Sequence, residues 1–178
     1  MKPILIVLMG IPGAGKSSVR NLFDLSEWHL GSSDEKLPID KEGNRQWTPI
    51  NLSKAWKEVW YELGQALGER KNIILDNTFI HRSERAAVAG IARGLGYLSI
   101  LIWLKTPLER CLENDRRRHF MVGANVIAQK YINLQKPSTN EGWNEIIKLI
   151  DSDNGLITME GNVMTIPEYI EYFYDVKT

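Results

Sequence analysis

Eight consecutive residues, Gly10-Ile11-Pro12-Gly13-Ala14-Gly15-Lys16-Ser17, carry the first recognisable chemistry in this chain. They satisfy the pattern G-x-x-x-x-G-K-[ST] at every fixed position, a spacing that wraps backbone N–H groups around phosphate. Gly10, Gly13 and Gly15 let the main chain approach an anion closely, Lys16 reaches the β and γ phosphates, and the Ser17 hydroxyl is placed for Mg²⁺, with Ser18 extending the turn. A carboxylate follows at Asp34, in Gly31-Ser32-Ser33-Asp34. Beside a γ-phosphate it would take the proton of an attacking hydroxyl; in another setting it would cap a turn. Asp76, in Asp76-Asn77-Thr78, is a second carboxylate that either assists Mg²⁺ or caps the next helix. The run Arg116-Arg117-Arg118-His119 supplies cations, suited either to a lid over a triphosphate or to a helix C-terminal dipole.

These groups need elements that bring them together. Ile4 to Met9 is an apolar strand running into the glycine loop, and a helical stretch with Val19, Leu22 and Phe23 on one face follows it. Trp28 to Ser32 is a short candidate strand. Glu35 to Thr48 reads as a loop with turn formers Pro38, Gly43 and Asn44. Thr48-Pro49 opens a helix of some four turns whose Leu52, Ala55, Trp56, Val59, Trp60, Leu63 and Leu67 form one buried face, tryptophans included. Asn72 to Leu75 is a buried strand, Ser83 to Leu95 a helix, and Leu98 to Leu104 another strand. Thr106-Pro107-Leu108-Glu109 reads as a capping box for a helix ending at the arginines. Glu145 to Ile150 adds a fifth strand, joined through Asp151 to Gly155 to Leu156–Met159 as a hairpin, and Ile166 to Tyr174 a terminal helix.

Apolar strands alternating with helices imply an α/β fold, a parallel sheet covered on both faces in three layers. The loops after its strands share one edge, so the glycine loop, Asp34 and Asp76-Asn77 face one cleft.

Composition narrows the alternatives. The 178 residues are 43% hydrophobic and carry 22 Lys and Arg against 22 Asp and Glu, enough for one core and no broad basic surface. A single cysteine, Cys111, excludes an intrachain disulfide and a cysteine-cluster metal site, and reads as a small core residue. No apolar run is long enough to cross a bilayer, which places the expected protein in the cytoplasm. The whole chain, 1–178, is expected to form one domain.

The motifs Gly10 to Ser18, Ser32-Ser33-Asp34, Leu75-Asp76-Asn77-Thr78, Asn114-Asp115-Arg116-Arg117-Arg118 and Pro137-Ser138-Thr139-Asn140-Glu141-Gly142-Trp143 come in an order that resembles the kinase domain of polynucleotide kinases and their P-loop relatives, from about residue 3 to 150. The resemblance implies a P-loop kinase with a helical lid at about 114–136, using ATP and Mg²⁺ to phosphorylate a hydroxyl. It implies Asp34 as general base, Lys16 and Ser17 as phosphate and metal ligands, Arg118 as the first lid arginine, and Arg116 beside the nucleotide. The family's 5′-end kinases carry an arginine soon after the aspartate; here Glu35-Lys36-Leu37 follows, and the place of a second lid arginine falls near Met121. Acceptor contacts are then expected from Lys36, Arg45, Trp47 and Asn77, in and beside a loop that otherwise reads as solvated surface. The expected acceptor is nucleic acid, DNA or RNA, at a 5′-hydroxyl end, as in repair. A hydroxymethyl group on a DNA base, a small metabolite, and a non-catalytic nucleotide switch are the alternatives.

Overall fold

The computed structural model describes residues 2–118, 121–150, 156–159 and 162–174. Its centre is a five-stranded parallel sheet in the order β2-β3-β1-β4-β5, with β1 at Ile4–Met9, β2 at Trp28–Gly31, β3 at Asn72–Asp76, β4 at Leu98–Lys105 and β5 at Glu145–Ile150. β1 is buried at every position, as a central strand covered on both faces must be. The crossovers are α1 (Lys16–Arg20), α2 (Pro49–Gly68), α3 (Arg82–Gly94), α4 (Leu108–Arg116) and α5 (Ala124–Ile132).

Strand alternation divides the core in two. Ile4, Ile6 and Leu8 of β1 pack with Ile74, Ile100 and Ile102 against Val19, Cys111 and Ile127 from α1, α4 and α5. Leu5, Val7 and Met9 point the other way, with Ile73, Leu75 and Leu101, onto Leu63 and Ala66 of α2 and Val88, Ala89 and Ala92 of α3. Cys111 is fully buried, matching its expected core role.

Local chemistry sets several boundaries. The Thr48 hydroxyl accepts from Asn51 N at 3.2 Å and Pro49 occupies the first turn of α2, as the sequence implied. The helix after the glycine loop is shorter than expected: α1 stops at Arg20, and i→i−3 bonds from Leu22 and Phe23 tighten its exit. Phe23 then meets Trp28 edge-on at 5.2 Å, anchoring that exit on β2. A Cβ at Gly31 in β2 would stand 2.6 Å from Leu75 Cδ2, so a larger residue there requires that side chain to shift.

The C-terminal pairing differs from expectation. Leu156–Met159 (β6) pairs antiparallel with Asn162–Thr165 (β7), while β5 joins the main sheet beside β4. An edge of a buried parallel sheet offered β5 six backbone partners, more than a short hairpin could. The expected turn at 151–155 lies outside the described residues. The final helix, α6 (Ile166–Tyr174), buries Ile166 and Ile170, and both Tyr169 and Tyr174 donate to the Glu145 carboxylate. Burial and that bond push the Tyr169 phenol up to about 12. Among the described residues no helix is long and apolar enough to cross a membrane.

Candidate functional site

The glycine loop leaves β1 at the sheet's carboxyl edge. Gly10 N donates to Thr78 O at 3.2 Å, tying this loop to the one after β3. Gly13 and Gly15 have φ of 85° and 95°, in the region that favours glycine. Gly13 has a second reason: a Cβ there would lie 2.3 Å from the backbone oxygen of Cys111, so the loop rests directly on α4. Ala14 N is satisfied by Ile11 O, whereas the amides of Gly13, Gly15, Lys16 and Ser17 have no backbone acceptor among the described residues. A concave run of such donors is an anion cradle. The Lys16 ammonium donates to Gly10 O at 2.9 Å and Ile11 O at 3.3 Å, folded along the loop it would leave to meet phosphate. Burial lowers its pKa and Arg118 adds to that, with Asp76 and Asp34 opposing. An anion restores the balance, which makes a desolvated lysine a tight phosphate ligand. Ser17 and Ser18 expose their side chains at the mouth.

Thr106 does not cap α4. Its buried hydroxyl donates to Ala14 O at 2.9 Å, and the N-cap position is Pro107, without a side-chain cap. The expected capping box is thereby corrected: a buried hydroxyl facing a loop carbonyl gains more from that partner than from a helix end already fixed by proline.

Asp34 begins a 3₁₀ turn, Asp34–Lys36, immediately past β2. It keeps contact with solvent yet is crowded by protein, and its carboxyl is pushed above the ordinary range by desolvation first and by Asp76 second. Lys16, Arg45 and Arg118 pull the other way. Asp76 ends β3, buried, with Arg20 Nη1 3.2 Å from its Oδ2. It does not cap α3, whose N-cap is His81. Arg20 also reaches Glu35 Oε1 at 3.3 Å, so one guanidinium spans the acidic residues at the ends of β2 and β3.

The Asn114-Asp115-Arg116-Arg117-Arg118 segment has two jobs. Asn114 Nδ2 donates to Gly13 O at 2.9 Å, a second tie between α4 and the loop. Buried Asp115 accepts from Val122 N and Gly123 N, each at 3.0 Å, closing the segment that carries the arginines. α4 ends at Arg116, and Arg116, Arg117 and Arg118 are exposed. The charge of Arg118 lowers the pKa of both Lys16 and Asp34. His119 lies outside the described residues.

The opposite wall is built differently. Lys36 gives its ammonium to Glu62 at 2.5 Å and Glu58 at 3.3 Å, both on α2. Arg45 pairs with Glu35 at 3.3 Å. Trp47 is half exposed at 48%. Asn77 Nδ2 donates to Ser33 Oγ at 3.2 Å, linking the ends of β3 and β2 beside Asp34. The tryptophans of α2 are not in the core. Ala55, Val59, Leu63 and Ala66 make its buried stripe; Trp60 is 43% exposed and stacks on Trp56 at 6.1 Å and 26°. The expected apolar face was too broad: positions 56 and 60 sit one residue, some 100°, round the helix from 55 and 59.

Sequence reasoning missed the brace behind this wall. Arg85, on α3, is fully buried and meets Glu141 in a two-pronged pair at 2.8 and 2.6 Å. Its third bond holds Phe79 O at 2.9 Å, at a residue with φ 44°. Glu141 also accepts from Ser138 N at 3.2 Å and Trp143 Nε1 at 3.4 Å. The 137–143 motif therefore works by fixing the turn after β3.

Comparison with known proteins gives the chain a family and a fold. Residues 5–133 match the model of a family described as an AAA domain (AAA_33). The L-seryl-tRNA(Sec) kinase of Methanococcus maripaludis is 26% identical over 149 residues, which cover 79% of this chain and 56% of that protein. The chain thus spans little more than half the length of this relative. A chain of the Pnkp1/Rnl/Hen1 RNA repair complex superposes with a TM-score of 0.58 at 19% identity, over 75% of this chain and 44% of the other. A gluconokinase from Sinorhizobium meliloti 1021 does so at 0.58 and 18%, over 85% of each. The matched span holds the glycine loop, both carboxylates and the arginines, and the chain belongs to this AAA-domain family, with the fold of the P-loop kinases.

Proposed function

We propose that the chain transfers the γ-phosphoryl group of ATP to a hydroxyl of a nucleic-acid acceptor, with Asp34 as general base. The observation that carries this reading is the position of Asp34: a carboxylate in the turn immediately past β2, at the sheet edge that bears the glycine loop, with its pKa raised by desolvation and by Asp76. A pure nucleotide switch has no use for such a group.

In this reading the loop amides and Lys16 hold the β and γ phosphates, and Arg118 closes over them from a lid spanning about 114–136 of a single domain. The acceptor oxygen bonds to phosphorus as the bond to the β-phosphate oxygen breaks; its proton passes to an Asp34 oxygen, and ADP departs. Arg118 and Lys16 offset the charge that gathers on the transferred group. Arg116, exposed at the end of α4, would meet the outer side of the nucleotide. The donor set fits Mg²⁺: the Ser17 hydroxyl and the Asp76 carboxylate are hard oxygen ligands, and no cluster of three His, Cys, Asp or Glu is present among the described residues, so phosphates would complete the shell. Bound there, Mg²⁺ would neutralise phosphate charge.

The kinase relatives support the phosphotransfer, and two of them are named for RNA. Lys36 and Arg45, both already paired with carboxylates, favour a second reading in which the acceptor is a small metabolite or a hydroxymethyl group on a DNA base. Transfer of labelled γ-phosphate decides between them. The panel comprises 5′-hydroxyl and 5′-phosphate oligonucleotides, duplexes with a hydroxymethylated base, and polyhydroxylated metabolites. Labelling of 5′-hydroxyl ends alone is expected; labelling of metabolites alone would overturn the nucleic-acid reading.

A further inference from the structure

A cavity of about 410 Å³ opens between α2, the turn after β3 and α5. It is lined by the stacked Trp56 and Trp60, by Asn77 and Phe79, and at its rim by Glu84 and Lys130. Two features separate it from the phosphate site. It contains none of the glycine-loop residues, and it reaches the centre through Asn77, whose amide holds Ser33, the neighbour of Asp34. It therefore adjoins the segment that carries Asp34.

Burying α2 does not require these indoles, because Ala55, Val59, Leu63 and Ala66 already cover the sheet. A large aromatic left 43% exposed forgoes the stabilisation of burial and keeps a flat face open to a ligand. The turn opposite is held rigidly, its Phe79 carbonyl gripped by buried Arg85. A cavity of this volume, aromatic on one side with amide and charged groups on the other, suits a single flat heterocycle and is far too small for a duplex. Stacking on indole tolerates any base, and Lys130 offers a cation to the adjoining backbone.

We propose that this cavity takes one unpaired nucleobase of the acceptor, stacked on the Trp56–Trp60 pair, so that the neighbouring sugar hydroxyl is presented to Asp34. The proposal rests on the phosphotransfer reading above but is tested without it. Binding of a short single-stranded 5′-hydroxyl oligonucleotide is measured by titration calorimetry with Asp34→Asn protein, which need not turn over. The same strand with abasic sites at its first two positions is the comparison. Trp60→Leu is expected to weaken the normal strand roughly tenfold to a hundredfold, leave the abasic strand unchanged and leave ATP affinity unchanged. Trp60→Tyr, which keeps a stacking face, is expected to restore most of the loss, so a folding defect in the leucine variant is recognised. Equal losses for both strands, no loss, or no binding of the strand by protein carrying Trp60 would overturn the proposal, as would a Trp60-dependent monosaccharide competing for the site. Failure of phosphotransfer itself would appear separately, as absence of labelling by protein with Asp34 intact despite base-dependent binding.

Discussion

The two walls of the cleft are made of different material. The phosphate wall is backbone pinned from behind: Gly13 leaves no room for a Cβ against the Cys111 carbonyl, the Asn114 amide bonds Gly13 O, the Thr106 hydroxyl bonds Ala14 O, and Gly10 N bonds Thr78 O. The acceptor wall is side chain against solvent, with exposed Trp47 and Trp60 and surface pairs at Lys36 and Arg45. Backbone walls fix one geometry and tolerate little change, whereas exposed side chains are cheap to alter.

The largest effect should come where the walls meet. Asp34→Asn is expected to cut phosphotransfer about 100- to 10,000-fold while ATP binding persists; equal loss of both would make Asp34 structural. Next is the brace. Arg85→Ala leaves a buried carboxylate without its partner and is expected to cost about 3–5 kcal/mol in denaturant unfolding. Replacing both partners together, as Arg85→Met with Glu141→Leu, should cost less than Arg85→Ala alone. Gly13→Ala should cost about 1–3 kcal/mol for its positive φ, with added loss of nucleotide affinity from the contact with Cys111. If it proves neutral, the phosphate wall is more compliant than the contrast requires.

Smaller effects depend on pH. Burial pushes Glu141 up, but Arg85's hydrogen bonds and charge prevail and hold it below its ordinary value of 4.5. Its folded pKa being depressed, its stabilisation is complete above about pH 4.5 and lost as pH falls through the folded value. Glu141→Gln should remove that acid limb from a stability profile. Asp34 has the opposite sign: if it is the general base proposed, its raised pKa should move the rising limb of kcat/KM above the ordinary carboxylate range. Arg118→Gln removes a charge that lowers the Asp34 pKa, so the limb should move further up. An unmoved limb would place Arg118 away from Asp34.

Whatever depends on near neighbours was legible in the residues. The glycine loop after β1, the Thr48-Pro49 start of α2 and the placement of Asp34 past β2 each follow from a few adjacent positions. What failed was long-range or angular. Arg85 and Glu141 are 56 positions apart, and nothing local marks either as the other's partner. Thr106 looks like a cap until Ala14, 92 positions earlier, arrives beside it. Trp56 and Trp60 keep helical spacing with true core positions, so periodicity alone could not put them on the edge of the buried arc. The pairing of Leu156–Met159 was misjudged because β5's partner, β4, lies far upstream.

The Asp115 carboxylate has a consequence in polymer terms. By holding Val122 N and Gly123 N, it makes the arginine-bearing segment a closed loop rather than a free arm. Tethering a segment at both ends removes chain entropy in advance, so an Arg118 that serves as the proposed phosphate ligand would do so at a high effective concentration. Lengthening the segment by a few glycines would cost little stability, since closure entropy grows only with the logarithm of length. It would instead dilute the guanidinium over a larger volume, making reach, rather than charge, the property that the loop's length sets.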